Sequence, residues 1–124
     1  MIFGIGIDQL DIARMDRLVR GDDGFVARVF TAEETRYCHS QHTPAQHFAA
    51  RFCAKEAFFK ALGTGWRHGM GWTEVEVVRD ELGRPEINLA GKAAQVFRQL
   101  GLTRIHLSLT HTGSTATAMV VVEK

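Results

Sequence analysis

The chain is predicted to fold as α+β, with a mostly antiparallel sheet packed by a long central helix and shorter helices. Three observations carry that prediction. Short stretches of alternating or continuous apolar character at 2–8, 72–78, 86–89, 105–110 and 116–122 read as strands. Their connections are mainly hairpins, and the helical stretches are segregated from them, which favours antiparallel pairing over parallel βαβ units. Residues 51–65, RFCAKEAFFKALGTG, continue an amphipathic helix from about residue 45. It is rich in alanine and phenylalanine and stops where Gly63 and Gly65 can take left-handed backbone.

In order, IFGIGID at 2–8 reads as a buried strand with close backbone approach at Gly4 and Gly6, ending in Asp8. As a dinucleotide-binding fingerprint it fails, because no full GxGxxG follows. Asp11 is expected to cap a helix over 12–20, with Ile12, Met15, Leu18 and Val19 inward and Arg14, Arg17 and Arg20 outward. A turn at 21–24 leads to a short helix over 25–30. Thr31 and Glu34 form a capping box that starts a helix to about Ser40. His39, His42 and His47 fall in a polar stretch without helical HxxxH spacing or a cysteine partner, so a zinc site is not expected. After the long helix comes a glycine-rich loop at 66–71. A strand over 72–78 then pairs with 86–89 across a hairpin. Residues 91–100 form an amphipathic helix. Residues 105–110 form a half-exposed strand ending in His111, and 116–122 is apolar enough to lie centrally in its sheet.

The 124 residues fit one domain spanning 1–124. A net charge of +1 exerts no global pull toward nucleic acid or a membrane, so neither is expected as a partner and an acidic partner needs a local patch. No secretory signal or membrane span is visible. Cys38 and Cys53 are expected as free, packed thiols in the reducing cytoplasm.

Polar residues set into apolar elements cost burial energy unless they are paired, metal-bound or in a cleft. Asp8, Glu56, Lys60 and His111 are such residues. Two carboxylates, a lysine and a histidine suit Mg2+ with a pyrophosphate, since magnesium prefers oxygen and takes one or two protein carboxylates plus substrate phosphates.

The sequence resembles the holo-acyl-carrier-protein synthases, small bacterial 4'-phosphopantetheinyl transferases, over nearly its whole length. The resemblance rests on Gly4-Ile5-Gly6-Ile7-Asp8 followed by Ile12 and Arg14, and on Phe30-Thr31 with Glu34. It rests also on Arg51-Phe52, Ala54-Lys55-Glu56-Ala57, Lys60-Ala61 and Gly63-Thr64-Gly65, and on Ser108-Leu109-Thr110-His111-Thr112. Cys53 stands where the pattern usually has a small residue such as alanine. The resemblance implies transfer of the phosphopantetheine arm of coenzyme A to a serine of apo acyl carrier protein, in support of fatty acid biosynthesis. It implies Asp8 and Glu56 as Mg2+ ligands, and Glu56, Lys60 and His111 as catalytic groups. It implies a coenzyme A site drawn from Arg51, Lys60, Gly63, Gly65, Ser108, His111 and Thr112. Arg51 is the candidate for the 3'-phosphate. Arg14, as in the family, together with Arg17 and Arg20 by charge, is expected to dock the acidic carrier protein. The family's usual state is a homotrimer with active sites between subunits. Proton acceptance stays open between Glu56, directly or through a water, and His111. A coenzyme A binding module would not need two carboxylates, a structural oligomer would need no site, and a phosphohydrolase would need no docking helix.

Overall fold

The computed structural model describes residues 1–21, 23–63 and 69–124. Strand β1 (Ile2–Asp11) runs directly into α1 (Ile12–Arg20), followed by α2 (Phe25–Val29), α3 (Ala32–His39) and the long α4 (Pro44–Leu62). A 3-10 turn (Trp72–Glu74) then leads to β2 (Val75–Arg79), β3 (Pro85–Leu89), α5 (Gly91–Gln99), β4 (Arg104–His111) and β5 (Thr115–Glu123). All pairing is antiparallel, but in two sheets: β1-β5-β4, with the apolar β5 in the centre as expected, and the hairpin β2-β3.

α4 lies on β1 at a distance only glycine permits. A β-carbon at Gly4 would fall 1.9 Å from the Ala61 carbonyl oxygen, and one at Gly6 would fall 1.8 Å from that of Ala57. Side chains alternate along a strand, so Gly4, Gly6 and Asp8 share the face turned to the helix. Phe3, Ile5 and Ile7 occupy the opposite face; Ile5 and Ile7 are 58% and 59% exposed there, beside Met119 of β5. α4 is not the amphipathic helix its sequence suggested. Strands cover one side of it and α1 and α3 another, so Arg51, Lys55, Ala49, Ala54 and Phe58 are all buried. A helix enclosed on most sides carries no broad polar face. One core joins α4 to the sheets through Phe58, Phe59, Val75, Val120 and Val122; a second, around Met15, Phe30, Cys38 and Phe48, joins α4 to α1 and α3.

Lys55 ties four elements together. Its ammonium is fully buried and donates to Glu34 Oε1 at 2.8 Å and to the carbonyls of Trp72 (3.1 Å) and Val75 (2.6 Å). Glu34, in the expected capping box, also accepts from the Thr31 and Val77 amides. All three ammonium protons are thereby used, the condition for burying a charge.

Two local expectations are corrected. Asp11 makes no side-chain cap, because β1 continues to it and the first helical amide, that of Ile12, donates instead to Ser114 O at 2.9 Å. Residues 72–74 are a 3-10 turn rather than strand, because the Glu74 carboxylate turns to accept from the Gly71, Lys92 and Ala93 amides and so caps α5.

Gly6→Ala should cost about 3 kcal/mol or more, the upper range of overpacking, because both clashing partners are backbone. Urea denaturation checks this, and near-native stability in the variant would show that α4 can move off β1 without loss.

Candidate active site

The glycine contact delivers Asp8 to α4 beside Lys60, whose ammonium donates to Ile7 O at 2.9 Å and to Asp8 Oδ1 at 3.2 Å. Glu56 lies one turn before Lys60 on the same helix face. Burial raises the Glu56 pKa; the Asp8 charge raises it further and Lys60 opposes them. Asp8, Glu56, Phe52, Leu18 and Arg14 line a cleft of about 260 Å³, so the arginine helix α1 borders the carboxylates. Arg14, Arg17 and Arg20 are all exposed; Arg20 bonds Asp16 at 2.9 Å. Cys53 is buried nearby, and its thiol is pushed up to about 12 by burial first, then by Asp8 and Glu56. It is fully buried and so is not among the donors that open on the cleft. The exposed donors are therefore carboxylate oxygens that repel one another, which fits a hard divalent cation holding phosphates.

His111 is in a different place. It lies at the end of β4, where its Nε2 is 3.0 Å from Gln46 Nε2, nearly three turns of α4 before Glu56, or about 15 Å along the axis. One chain thus joins Asp8, Glu56 and Lys60 but does not bring His111 to them. His111 belongs instead to a second cleft, of about 240 Å³, with Gln46, His47, Arg51, Arg79 and Thr110. Arg51 is 2% exposed and its Nε has no partner, while one terminal nitrogen donates to His47 O at 3.4 Å. Its guanidinium lies 4.3 Å from the centre of the Tyr37 ring, and that of Arg79 lies 5.2 Å from the same ring. Burial lowers the pKa of His47, and Arg51, Arg79 and His111 lower it further, so this cleft is electropositive.

The remaining expected residues serve other local roles in the chain. Ser108 pairs with Met119 on the outer face of the three-stranded sheet, away from α4. The Thr112 hydroxyl accepts from the Ser114 and Thr115 amides and holds the β4-β5 turn. Gly63 takes left-handed backbone (φ 80°) and its amide donates to Lys60 O, ending α4, so that amide is not free for a phosphate. Gly65 lies outside the described residues. Lys55 and Arg51, both on the helix singled out from sequence, are buried rather than turned toward the carboxylates. Sequence reasoning missed Arg79, His47 and Gln46. Arg79 reads as the polar end of a strand, and only the packing of the β2-β3 hairpin against Tyr37 gives it a neighbour.

If Glu56 holds a divalent cation with Asp8, Glu56→Gln should lower turnover about 10³-fold, the several kcal/mol such a ligand contributes. Its effect on stability has the opposite sign. Glu56 binds its proton more tightly folded than unfolded, so its stabilisation is present below the unfolded carboxylate range and is lost as pH rises through its raised folded value. At pH 7 the metal-free variant should melt no lower than the parent; calorimetry showing a lower midpoint would contradict the cost that burial and the Asp8 charge place on ionised Glu56.

A family model described as the 4'-phosphopantetheinyl transferase superfamily matches residues 4–118. The chain is 51% identical to a holo-acyl-carrier-protein synthase of Geotalea daltonii, over 100% of both chains. It is also 51% identical to that of Geobacter sulfurreducens, over 100% of this chain and 99% of the relative. Among solved structures, the holo-acyl-carrier-protein synthase of Neisseria meningitidis superposes with a TM-score of 0.91 at 35% identity, covering both chains completely. The Bacillus anthracis synthase, solved in complex with CoA (3',5'-ADP), gives a TM-score of 0.80 at 31% identity, over 98% of this chain and 96% of that one.

Proposed function

The chain belongs to the 4'-phosphopantetheinyl transferase superfamily, and from that premise we propose the chemistry of its two clefts. The chain moves the phosphopantetheine arm of coenzyme A to a serine of apo acyl carrier protein and releases adenosine 3',5'-bisphosphate. The holo carrier so made serves fatty acid biosynthesis. The observation that supports this assignment most directly is the half-buried Asp8, Glu56 and Lys60 cluster, bordered by Arg14.

In the reaction, the serine oxygen bonds the phosphorus that carries the pantetheine arm, and the bond from that phosphorus to the bisphosphate breaks. The protein's work is positioning and charge neutralisation. Asp8 and Glu56 would hold Mg2+, which when bound stabilises charge on the pyrophosphate oxygens. Lys60 adds a cation to the same phosphates, and its bond to Ile7 O keeps it on the Asp8 side of the cleft. Glu56, with its raised pKa, takes the serine proton. His111, in the other cleft, acts with Arg51 on the 3'-phosphate. Arg14, Arg17 and Arg20 dock the acidic carrier, which brings its serine to Glu56.

The two clefts open on different sides of α4, so one coenzyme A reaches both only if a neighbouring subunit supplies the second. A homotrimer built through the exposed apolar sheet face, with Ile5, Ile7 and Met119, meets that need. The unit is a single domain over 1–124, and its place is the cytoplasm. Among the described residues, no helix is long and apolar enough to cross a membrane.

Intact-mass measurement of apo acyl carrier protein incubated with the enzyme, coenzyme A and Mg2+ should show addition of one phosphopantetheine, lost with EDTA. Coenzyme A breakdown without labelled carrier would mark a hydrolase instead. Arg14→Asp should raise the carrier KM about tenfold, with the difference shrinking in high salt; an unchanged carrier KM removes α1 from docking.

A further inference from the structure

The cleft around His111 holds more positive charge than Arg51 and His111 provide. Arg79 leaves the end of β2 and lies over the Tyr37 ring that also carries Arg51. One of its terminal nitrogens is fixed by Gly83 O at 2.6 Å, in the turn joining β2 to β3. The guanidinium is therefore held by a carbonyl and an aromatic face, and among the described residues its other nitrogens make no hydrogen bond. No carboxylate lines this cleft, and among the described residues neither Arg51 nor Arg79 forms an ion pair with one. The buried Arg51 Nε still lacks an acceptor. Two fixed guanidinium forks, an unsatisfied buried donor and two imidazoles, without an acidic counterweight, form a site for a dianion with several acceptor oxygens.

A phosphate monoester is such a group: near neutral pH it carries close to two charges and three terminal oxygens. Coenzyme A has one monoester, on the ribose; its pyrophosphate is assigned to the cleft of Asp8, Glu56 and Lys60. We infer that Arg79 forms, with Arg51, a double-arginine grip on the ribose 3'-phosphate, and that Arg79 sets the preference for coenzyme A over its dephospho form. This rests on the reading of the cleft as a coenzyme A site. The hairpin turn thereby acts as a specificity element, because Gly83 O orients Arg79.

The test compares parent and Arg79→Gln, which removes the guanidinium charge and keeps a polar side chain. With coenzyme A, kcat/KM should fall about tenfold or more, the size of a lost charge-assisted hydrogen bond. With dephospho-coenzyme A, parent and variant should match. Equal losses with both substrates, or no loss with either, overturn the assignment. Calorimetry with adenosine 3',5'-bisphosphate and adenosine 5'-phosphate gives an answer independent of turnover. The parent should prefer the bisphosphate, and Arg79→Gln should lose most of that preference; a preference kept in full overturns the assignment. If the parent binds these nucleotides selectively but labels no carrier protein, the transferase reading fails and the phosphate site stands.

Discussion

The arrangement of this molecule depends on two missing β-carbons. At Gly4 and Gly6 the backbone of β1 meets the carbonyls of α4 directly, with no side chain between them. A strand normally stands off from a packed helix by the thickness of its side chains. Here that space is removed for two successive inward positions, and the next inward position is Asp8. The helix, already close, presents Lys60 and Glu56 one turn apart, so Asp8, inside β1 rather than at the strand end expected from sequence, reaches residues on a helix that come some fifty positions later. The same contact leaves the other face of β1 to Ile5 and Ile7, an apolar surface that a single copy does not cover.

α4 holds two lysines with opposite duties. Lys55 is buried, and its three protons are all used in joining α3, the 3-10 turn and β2 to the helix. Lys60 is half exposed and keeps only the Ile7 carbonyl and Asp8. Five positions along a helix turn a side chain by about 140°, and this rotation separates a buried structural cation from one that opens on the solvent beside Asp8. Glu56 lies on the Lys60 side, where burial first and the Asp8 charge second disfavour its ionised form. Both effects are tolerable because the cleft is open and Lys60 opposes them.

The positive charges of this nearly neutral chain are sorted by place rather than by number. Of the exposed arginines on α1, Arg14 borders the carboxylate cleft, while the arginines of the second cleft stack on Tyr37. The first set is hydrated and salt-sensitive and suits a steering surface. The second is held by packing and suits a fixed phosphate. α4 lies between the clefts and keeps the two sets of charge apart.

The α+β class, the order of the elements, the Thr31 and Glu34 capping box, the central place of β5 and the close approach at Gly4 and Gly6 were legible in the sequence. Each follows from local chemistry: side-chain period, cap residues, or glycine where a β-carbon cannot fit. Asp8, Glu56 and Lys60 were legible as candidates because charged residues in apolar elements need a reason to be there. Their meeting, and the absence of His111 from it, were decided by tertiary structure, because register and helix rotation join residues that no spacing relates. The same holds for Asp11, whose capping role passed to the Ser114 carbonyl. It holds too for the burial of Lys55 and Arg51, which resemble solvated charges until α3 and β2 close over them. Arg79 is the plainest case: in sequence it is a charge at a strand end, and only the fold of the hairpin against Tyr37 sets it beside Arg51.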